Sequence, residues 1–263
     1  MTDSSRRQMF SSVDAYDRYV GRYSRALARE LMARAAVVPG QRVLDVGCGP
    51  GALTGELAAV LGSDHVAGID PSPEFVDACR ERYPGVQVEV AVAESIPFDD
   101  RAFDAAIAQL VVHFMTDAPA GVEEMKRVTK PGGALAAATW DYKKQMLLLR
   151  NFWDAAIAVD GGAAAVEQRN PPYCTPEELG GLWRGAGLLD VEVGAAVVSA
   201  SYDNFEDLWA PFEVGVGPGG AYTVSLTDDG RAALKTEFQR RLGVGDEPFE
   251  LTARAWVATG RVA

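Results

Sequence analysis

Residues 42–53 read Arg42-Val43-Leu44-Asp45-Val46-Gly47-Cys48-Gly49-Pro50-Gly51-Ala52-Leu53. The opening apolar run is too short for a helix and is closed by glycines, so it reads as a buried strand. Three glycines at alternate positions follow, and Ala52 to Leu61 continues as a helix-like run. Strand, glycine turn and helix together bring an adenosine-type cofactor against bare backbone. Glycine bends the chain sharply and carries no Cβ to hold a ligand away.

Working outward, His65 to Asp70 reads as a second strand. Asp70 lies 19 residues past Gly51, close to the spacing at which an acid bonds both ribose hydroxyls. Ser72 is the better cap for the next helix, with Pro73 at its first position, which leaves Asp70 free for that role. The helix Pro73 to Tyr83 buries Phe75, Val76, Cys79 and Tyr83. Val86, Val88, Val90 and Val92 then alternate with Gln87, Glu89 and Ala91, the pattern of a half-exposed edge strand. Ala93 to Phe98 leaves it as a loop. Phe103 to Val112 reads as a central buried strand, Ala118 to Thr129 as a helix, Lys130 to Gly133 as a turn and Ala134 to Thr139 as a fifth strand. This alternation specifies an α/β fold with a doubly wound parallel sheet and right-handed crossovers.

On the N-terminal side, residues 1–12 read as a loose leader and Val13 to Ala35 as a helix interrupted at Gly21. The segment Tyr16 to Ser24 is dense in aromatics. It is either a helix packed on the sheet edge or a lid that brings Tyr16 and Arg22 onto the cofactor. Beyond Trp140 the rhythm breaks. Leu149, Phe152, Trp153, Ala156 and Ile157 form a helical stripe, Gly161 to Val166 loosens the chain, and Asn170-Pro171-Pro172-Tyr173 is a stiff connector. Thr175 caps a further helix, Val191 to Ser199 reads as a sixth strand, residues 204–242 as mostly helical with a break at 215–220, and Leu251 to Val262 as a last strand. The expected organisation is one domain over 1–263, with a cofactor-binding core at 13–141. Helical additions at 142–187 and 200–245 would confer acceptor specificity. Phe152, Trp153, Tyr173, Trp183, Trp209 and Phe212 either roof an apolar acceptor pocket there or pack an added helical layer.

Composition narrows the class. The 263 residues carry a formal net charge of -12, which argues against nucleic acid and anionic membrane as partners. No apolar run approaches the roughly 20 residues of a membrane span. No signal-peptide core follows the polar start. Three cysteines without CxxC spacing point away from a disulfide framework or zinc cluster and toward a reducing cytoplasm.

A glycine-rich turn alone also suits a nicotinamide-dependent dehydrogenase. Three features separate the two. Asp45 stands two residues before Gly47, where its carboxylate can face an ammonium or the turn amides, and a pyrophosphate would be repelled by it. The turn is G-x-G-x-G, with the third glycine one residue early. The loop Ala93 to Phe98 sits where it could hold a base edge.

The run Val43 to Gly51 resembles motif I of the class I S-adenosylmethionine-dependent methyltransferases. Asp70 matches the acid ending that family's second strand. Ala93 to Phe98 with Phe103-Asp104 is similar to its third motif, and Glu124 to Gly133 to the helix and turn before its fifth strand. The similarity covers about residues 13–141 and is nearest the small-molecule branch that includes ubiquinone and menaquinone biosynthesis methyltransferases. It implies a Rossmann-like, mostly parallel seven-stranded sheet of order 3-2-1-4-5-7-6, strand 7 antiparallel, with added helical lid segments.

The resemblance also implies roles. S-adenosyl-L-methionine would meet the backbone of Gly47, Cys48, Gly49 and Gly51 with its methionine and ribose portions. Asp45 would hold the amino group, directly or through water, and Asp70 the ribose hydroxyls. Pro71 or Ser72 would flank the adenine, Ala93 would offer it a backbone amide, and Gln109 would line the methionine side. One departure stands out: where many relatives carry an adenine-binding Asp, this chain has Val92, which accepts no side-chain hydrogen bond. Glu94 or a backbone carbonyl could substitute.

Methyl transfer from a sulfonium is an in-line displacement with a neutral leaving group, so alignment and exclusion of water suffice. A metal site is not expected. His113, after the fourth strand, is either a general base or a structural histidine at a strand–helix junction. Trp140 and Asp141 are further candidates to line the acceptor pocket. The tetrapeptide Asn170 to Tyr173 shares its composition with a motif of base-directed enzymes but follows the fifth strand, so it reads as a linker. The expected partner is a small-molecule acceptor, without nucleic acid or membrane, and a homodimer is admitted. The alternatives are a nicotinamide-dependent oxidoreductase and a non-catalytic module that binds the cofactor.

Overall fold

Val43–Val46 (β1) is buried along its whole length and lies parallel to strands on both sides. Its partners are Val66–Asp70 (β2) and Phe103–Gln109 (β4). A strand flanked on both edges and covered on both faces must be apolar, which explains the near-continuous hydrophobic runs at these three positions. In this computed structural model, residues 17–165 and 171–263 are described. The seven strands run in the order 3-2-1-4-5-7-6, completed by Gln87–Val90 (β3), Thr129–Trp140 (β5), Leu189–Tyr202 (β6) and Phe249–Arg261 (β7). β7 pairs antiparallel with β5, with Ala134 opposite Arg261 and Trp140 opposite Ala255. Of the alternating valines, Val88 and Val90 fall on an edge strand, β3, while Val86 and Val92 flank it.

Helices join these strands as the capping signals require. Gly21–Arg34 (α1) precedes β1, Ala52–Leu61 (α2) follows the glycine turn, and Pro73–Arg82 (α3) follows β2. The Ser72 hydroxyl accepts from the Phe75 amide and Pro73 opens α3, as the sequence demands. Ala118–Val128 (α4) is capped by Asp117 in the same way. Asp17 and Arg18 are helical, a turn at Tyr19 and Val20 follows, and Gly21 begins α1; residues 13–16 of the expected helix lie outside the described residues. One boundary differs from expectation. The expected turn at 130–133 is an excursion inside β5: the pairing jumps from Thr129 opposite Phe103 to Ala134 opposite Ala105, with Gly132 at φ 77°.

The described chain divides into two compact units. One comprises residues 24–141, 171–197 and 254–263; the other comprises 17–23, 142–165 and 198–253 of the described residues. In the first, Leu44, Val46, Ile69, Ala106, Val122, Met125 and Leu135 form the buried core beside the sheet. Pro176–Gly185 (α6) joins that core through Leu179, Leu182 and Trp183, and the Trp183 indole donates to the Leu135 carbonyl at 3.4 Å. α6 therefore belongs with the sheet and not with an added layer, because its apolar stripe is spent on the sheet face. Arg34 donates to the Ala195 carbonyl at 2.6 Å, blunting the open edge of β6.

The second unit holds Leu147–Val159 (α5), Phe205–Glu213 (α7), Gly217–Ser225 (α8) and Asp228–Leu242 (α9). Phe152 stacks on Phe212 with ring centroids 4.4 Å apart, and Trp209, Phe205 and Phe238 close around them. All five rings are fully buried. These aromatics are the core of the unit, so for Phe152, Trp209 and Phe212 the packing alternative holds over the pocket roof. Among the described residues no helix is long and apolar enough to cross a membrane.

Candidate functional site

The carboxyl ends of β1, β2, β3 and β4 lie side by side, the edge of an open α/β sheet where ligands gather. The glycine turn sits there, and its amides are already committed. Gly47 and Cys48 both donate to the Ile69 carbonyl, at 2.8 and 2.9 Å, and Gly51 donates to Cys48 at 3.0 Å. Gly49 donates to Asp70 Oδ2 at 2.9 Å. An N–H bonded within the protein does not serve a ligand, so the bend offers Cα surface and carbonyls rather than a nest of donors.

The three turn glycines also differ in purpose. A Cβ on Gly47 would collide with the Val111 side chain, and one on Gly51 would lie 2.5 Å from the Tyr83 ring. Only at Gly49 would a Cβ meet nothing within 4 Å. Gly49 is thus the position where the bend faces open space; Gly47 and Gly51 are glycine to admit the protein's own side chains. Cys48 turns inward, its Cβ and Sγ against the Cα side of Gly68, so only its backbone faces the turn.

Asp45 is buried on β1. Its Oδ2 accepts from the Thr54 hydroxyl at 2.7 Å, whereas Oδ1 has no partner. Burial pushes its pKa up to about 7, and the neighbouring Asp70 charge adds to this. Gln109, at the end of β4, donates through Nε2 to the Ser24 carbonyl at 2.9 Å, and its Oε1 is also buried without a partner. Two adjacent strands therefore each carry an unsatisfied buried acceptor, a costly arrangement that a ligand with donors relieves.

Asp70 is not free, contrary to the sequence reading. Besides Gly49, it holds the Ser72 amide on Oδ1 at 2.9 Å. Each carboxylate oxygen has a second lone pair, so the acid can brace the turn and still accept hydroxyl groups. Burial raises its pKa, opposed by these two amide bonds. Beside it Pro71 is exposed, while the Ser72 hydroxyl is used as the cap and donates to Glu74 at 2.9 Å.

At the end of β3, Val90 and Val92 are 50% and 46% exposed and give the sheet rim an apolar surface. Glu94, the expected substitute for the missing acid at Val92, is engaged through one oxygen. Its Oε1 accepts from the Thr116 and Asp117 amides at 2.7 and 3.0 Å, tying the loop to the start of α4. Ala93 is buried at the same rim.

Several expected participants are committed elsewhere. His113 is buried against Phe114, and desolvation lowers its pKa to about 3, a poor match for a base at neutral pH. Asp141 is buried and paired with Arg254, whose guanidinium also lies over Trp256. In the other unit, Arg22 donates to the Arg18 and Ser201 carbonyls and to Asp207 at 2.5 Å, with its guanidinium over the Tyr202 ring. Those bonds correct its expected role: Arg22 ties its own unit together. Tyr16 lies outside the described residues.

Thr54, Tyr83 and Val111 escaped the sequence reading as site residues. The signal for Tyr83 was Gly55: a glycine in mid-helix usually marks a close approach, and here a Cβ would meet the Tyr83 ring. Leu110 carries φ 63° directly after β4, a left-handed conformation rare for leucine and invisible in sequence.

Residues 44–137 match the family model described as a methyltransferase domain. The chain is 39% identical over 92 residues to a demethylmenaquinone methyltransferase of Chlorobaculum tepidum, covering 35% of this chain and 38% of that one. It is 31% identical over 131 residues to a malonyl-[acyl-carrier protein] O-methyltransferase of Serratia marcescens, covering 48% and 51%. The match thus spans about half or less of the length of these curated relatives. A structure assigned to the type II methyltransferases, from Anaeromyxobacter dehalogenans, superposes with a TM-score of 0.64 at 23% identity, covering 91% of this chain and 97% of that one.

Proposed function

We propose, for a chain that belongs through its residues 44–137 to the class I S-adenosylmethionine-dependent methyltransferases, that it methylates a small-molecule acceptor. The observation that carries the reading is the pair of unpartnered buried oxygens, Asp45 Oδ1 and Gln109 Oε1, beside a turn whose amides are spent. Such a site presents acceptors and withholds donors. It suits a cationic amino group and repels a pyrophosphate, which needs donors and positive charge. This favours S-adenosylmethionine over a nicotinamide dinucleotide.

When bound, S-adenosylmethionine supplies an electrophilic methyl group on a sulfonium. The chain's own residues bind and orient. Asp45 and Gln109 would accept from the amino group, Asp70 would accept from the ribose hydroxyls, and Val90 and Val92 would give the adenine an apolar rest. Gly49, where a Cβ would meet nothing within 4 Å, would admit the nucleoside against the turn. Alignment and water exclusion then do most of the work, and no proton need pass through His113.

The acceptor reading draws on the relatives, one of which is named for a demethylmenaquinone and the other for a protein-linked malonyl group. A small organic acceptor also suits the net charge of -12. Three buried cysteines fit a reducing compartment such as the cytoplasm.

Calorimetry with S-adenosylhomocysteine and with NADH tests the cofactor. Binding of the first and not the second is expected, and the reverse overturns the reading. Incubation of a cell extract with methyl-labelled S-adenosylmethionine tests the acceptor: label is expected in organic-soluble small molecules, and label confined to precipitated protein or nucleic acid overturns it.

A further inference from the structure

We infer that Thr54 is a positioning residue for the cofactor's amino group, fixing the Asp45 carboxylate so that Oδ1 is presented unpaired at the strand ends. The inference rests on the cofactor reading above.

Thr54 is the third residue of α2 and is fully buried. A threonine hydroxyl in a helix has a default partner, the carbonyl four residues earlier. Two other helical threonines follow that default, Thr223 to Gly219 and Thr236 to Ala232. Thr54 instead reaches off its helix to Asp45 Oδ2, at 2.7 Å. Its branched Cβ restricts χ1, so the hydroxyl direction is held.

A carboxylate is planar, and securing one oxygen sets the other. Oδ1 is left with no partner although it is buried. An acid serving only stability would have both oxygens satisfied. The titratable groups facing Asp45 are Asp70 from β2, Cys48 from the turn and Cys79 from α3, none of them a cation. The Thr54 hydroxyl favours the charged carboxylate against the desolvation that disfavours it. It therefore fixes geometry and, together with the Thr54 amide, opposes the desolvation that raises the pKa of the acid.

The test compares wild type, Thr54→Val and Thr54→Ser by calorimetry with two probes. S-adenosylhomocysteine carries the amino acid; 5′-methylthioadenosine carries the nucleoside without it. Thr54→Val should weaken S-adenosylhomocysteine about 10- to 100-fold, as for loss of a hydrogen bond to a charged group. It should leave 5′-methylthioadenosine within about twofold. Thr54→Ser should restore most of the loss. As pH is lowered, the affinity of Thr54→Val should fall away at higher pH than that of wild type. Equal weakening of both probes, or none of either, overturns the role of Thr54 while leaving the cofactor reading intact. A wild-type protein that binds neither probe overturns the cofactor reading and this inference with it. Thermal unfolding of each variant separates a loss of fold from a loss of binding.

Discussion

The Gly49 amide donates to Asp70 Oδ2 at 2.9 Å, joining the turn after the first strand to the end of the second. One carboxylate thereby shapes the bend and stands where a ribose is expected. Structure and binding share a residue, and substitutions there affect both.

Asp70→Ala should therefore lose cofactor affinity and also stability. Gly49 and Ser72 would each lose an acceptor, at about 1–3 kcal/mol where the amide is left unsatisfied. Urea unfolding reads the stability loss and calorimetry with S-adenosylhomocysteine the affinity. Unchanged affinity would remove Asp70 from the ribose site.

Gly49→Ala and Gly51→Ala should separate. Alanine at Gly49 meets nothing within 4 Å, so the protein should fold with only the modest cost of a φ of 53°, about 1–2 kcal/mol, while binding falls steeply. Alanine at Gly51 overlaps Tyr83 and should lower the thermal midpoint before binding is considered. Melting curves and calorimetry of both variants check this.

Asp45→Asn should exchange function for stability. The folded-state pKa of about 7 lies above the ordinary carboxylate value, so the folded protein holds the Asp45 proton more tightly than the unfolded chain. That contribution is complete below about pH 4 and is lost as pH rises toward 7. An amide side chain cannot ionise, so the variant should be more stable than wild type at pH 8 and alike at pH 4. S-adenosylhomocysteine should bind it more weakly. Parallel urea titrations at the two pH values are the measurement.

His113→Gln should remove a source of acid sensitivity. The folded-state pKa of about 3 lies below the ordinary imidazole value, so this group contributes stability above about pH 6.5 that is lost as pH falls toward 3. The variant should lose less stability than wild type between pH 7 and 4. The methylation rate should show no ionisation near 6.5 that the variant abolishes.

Much of this architecture was legible in the chain. Val43 to Val46, Asp70 and the alternating valines announced their strands because burial on two faces, one end or one face leaves a distinct periodicity. Ser72 with Pro73 announced a helix start through purely local chemistry. The partners of the site residues were not legible. Glu94 and Arg22 look available in sequence, yet one ties down the amides of Thr116 and Asp117 and the other binds Asp207, 185 residues away.

By itself the sequence determined the order of strands and helices, the glycine bend and the acids at its rim, since these follow from local propensity and from hydrophobic period. Only the tertiary structure decided that Gly47 and Gly51 make room for Val111 and Tyr83 while Gly49 faces open space. Only it showed that the turn amides are spent and that Asp45 and Gln109 each keep one oxygen unpaired. The reason is physical: a hydrogen bond or a steric contact is settled by which atoms the fold brings within about 3 Å of one another, and residues far apart in sequence carry no periodic sign of that meeting.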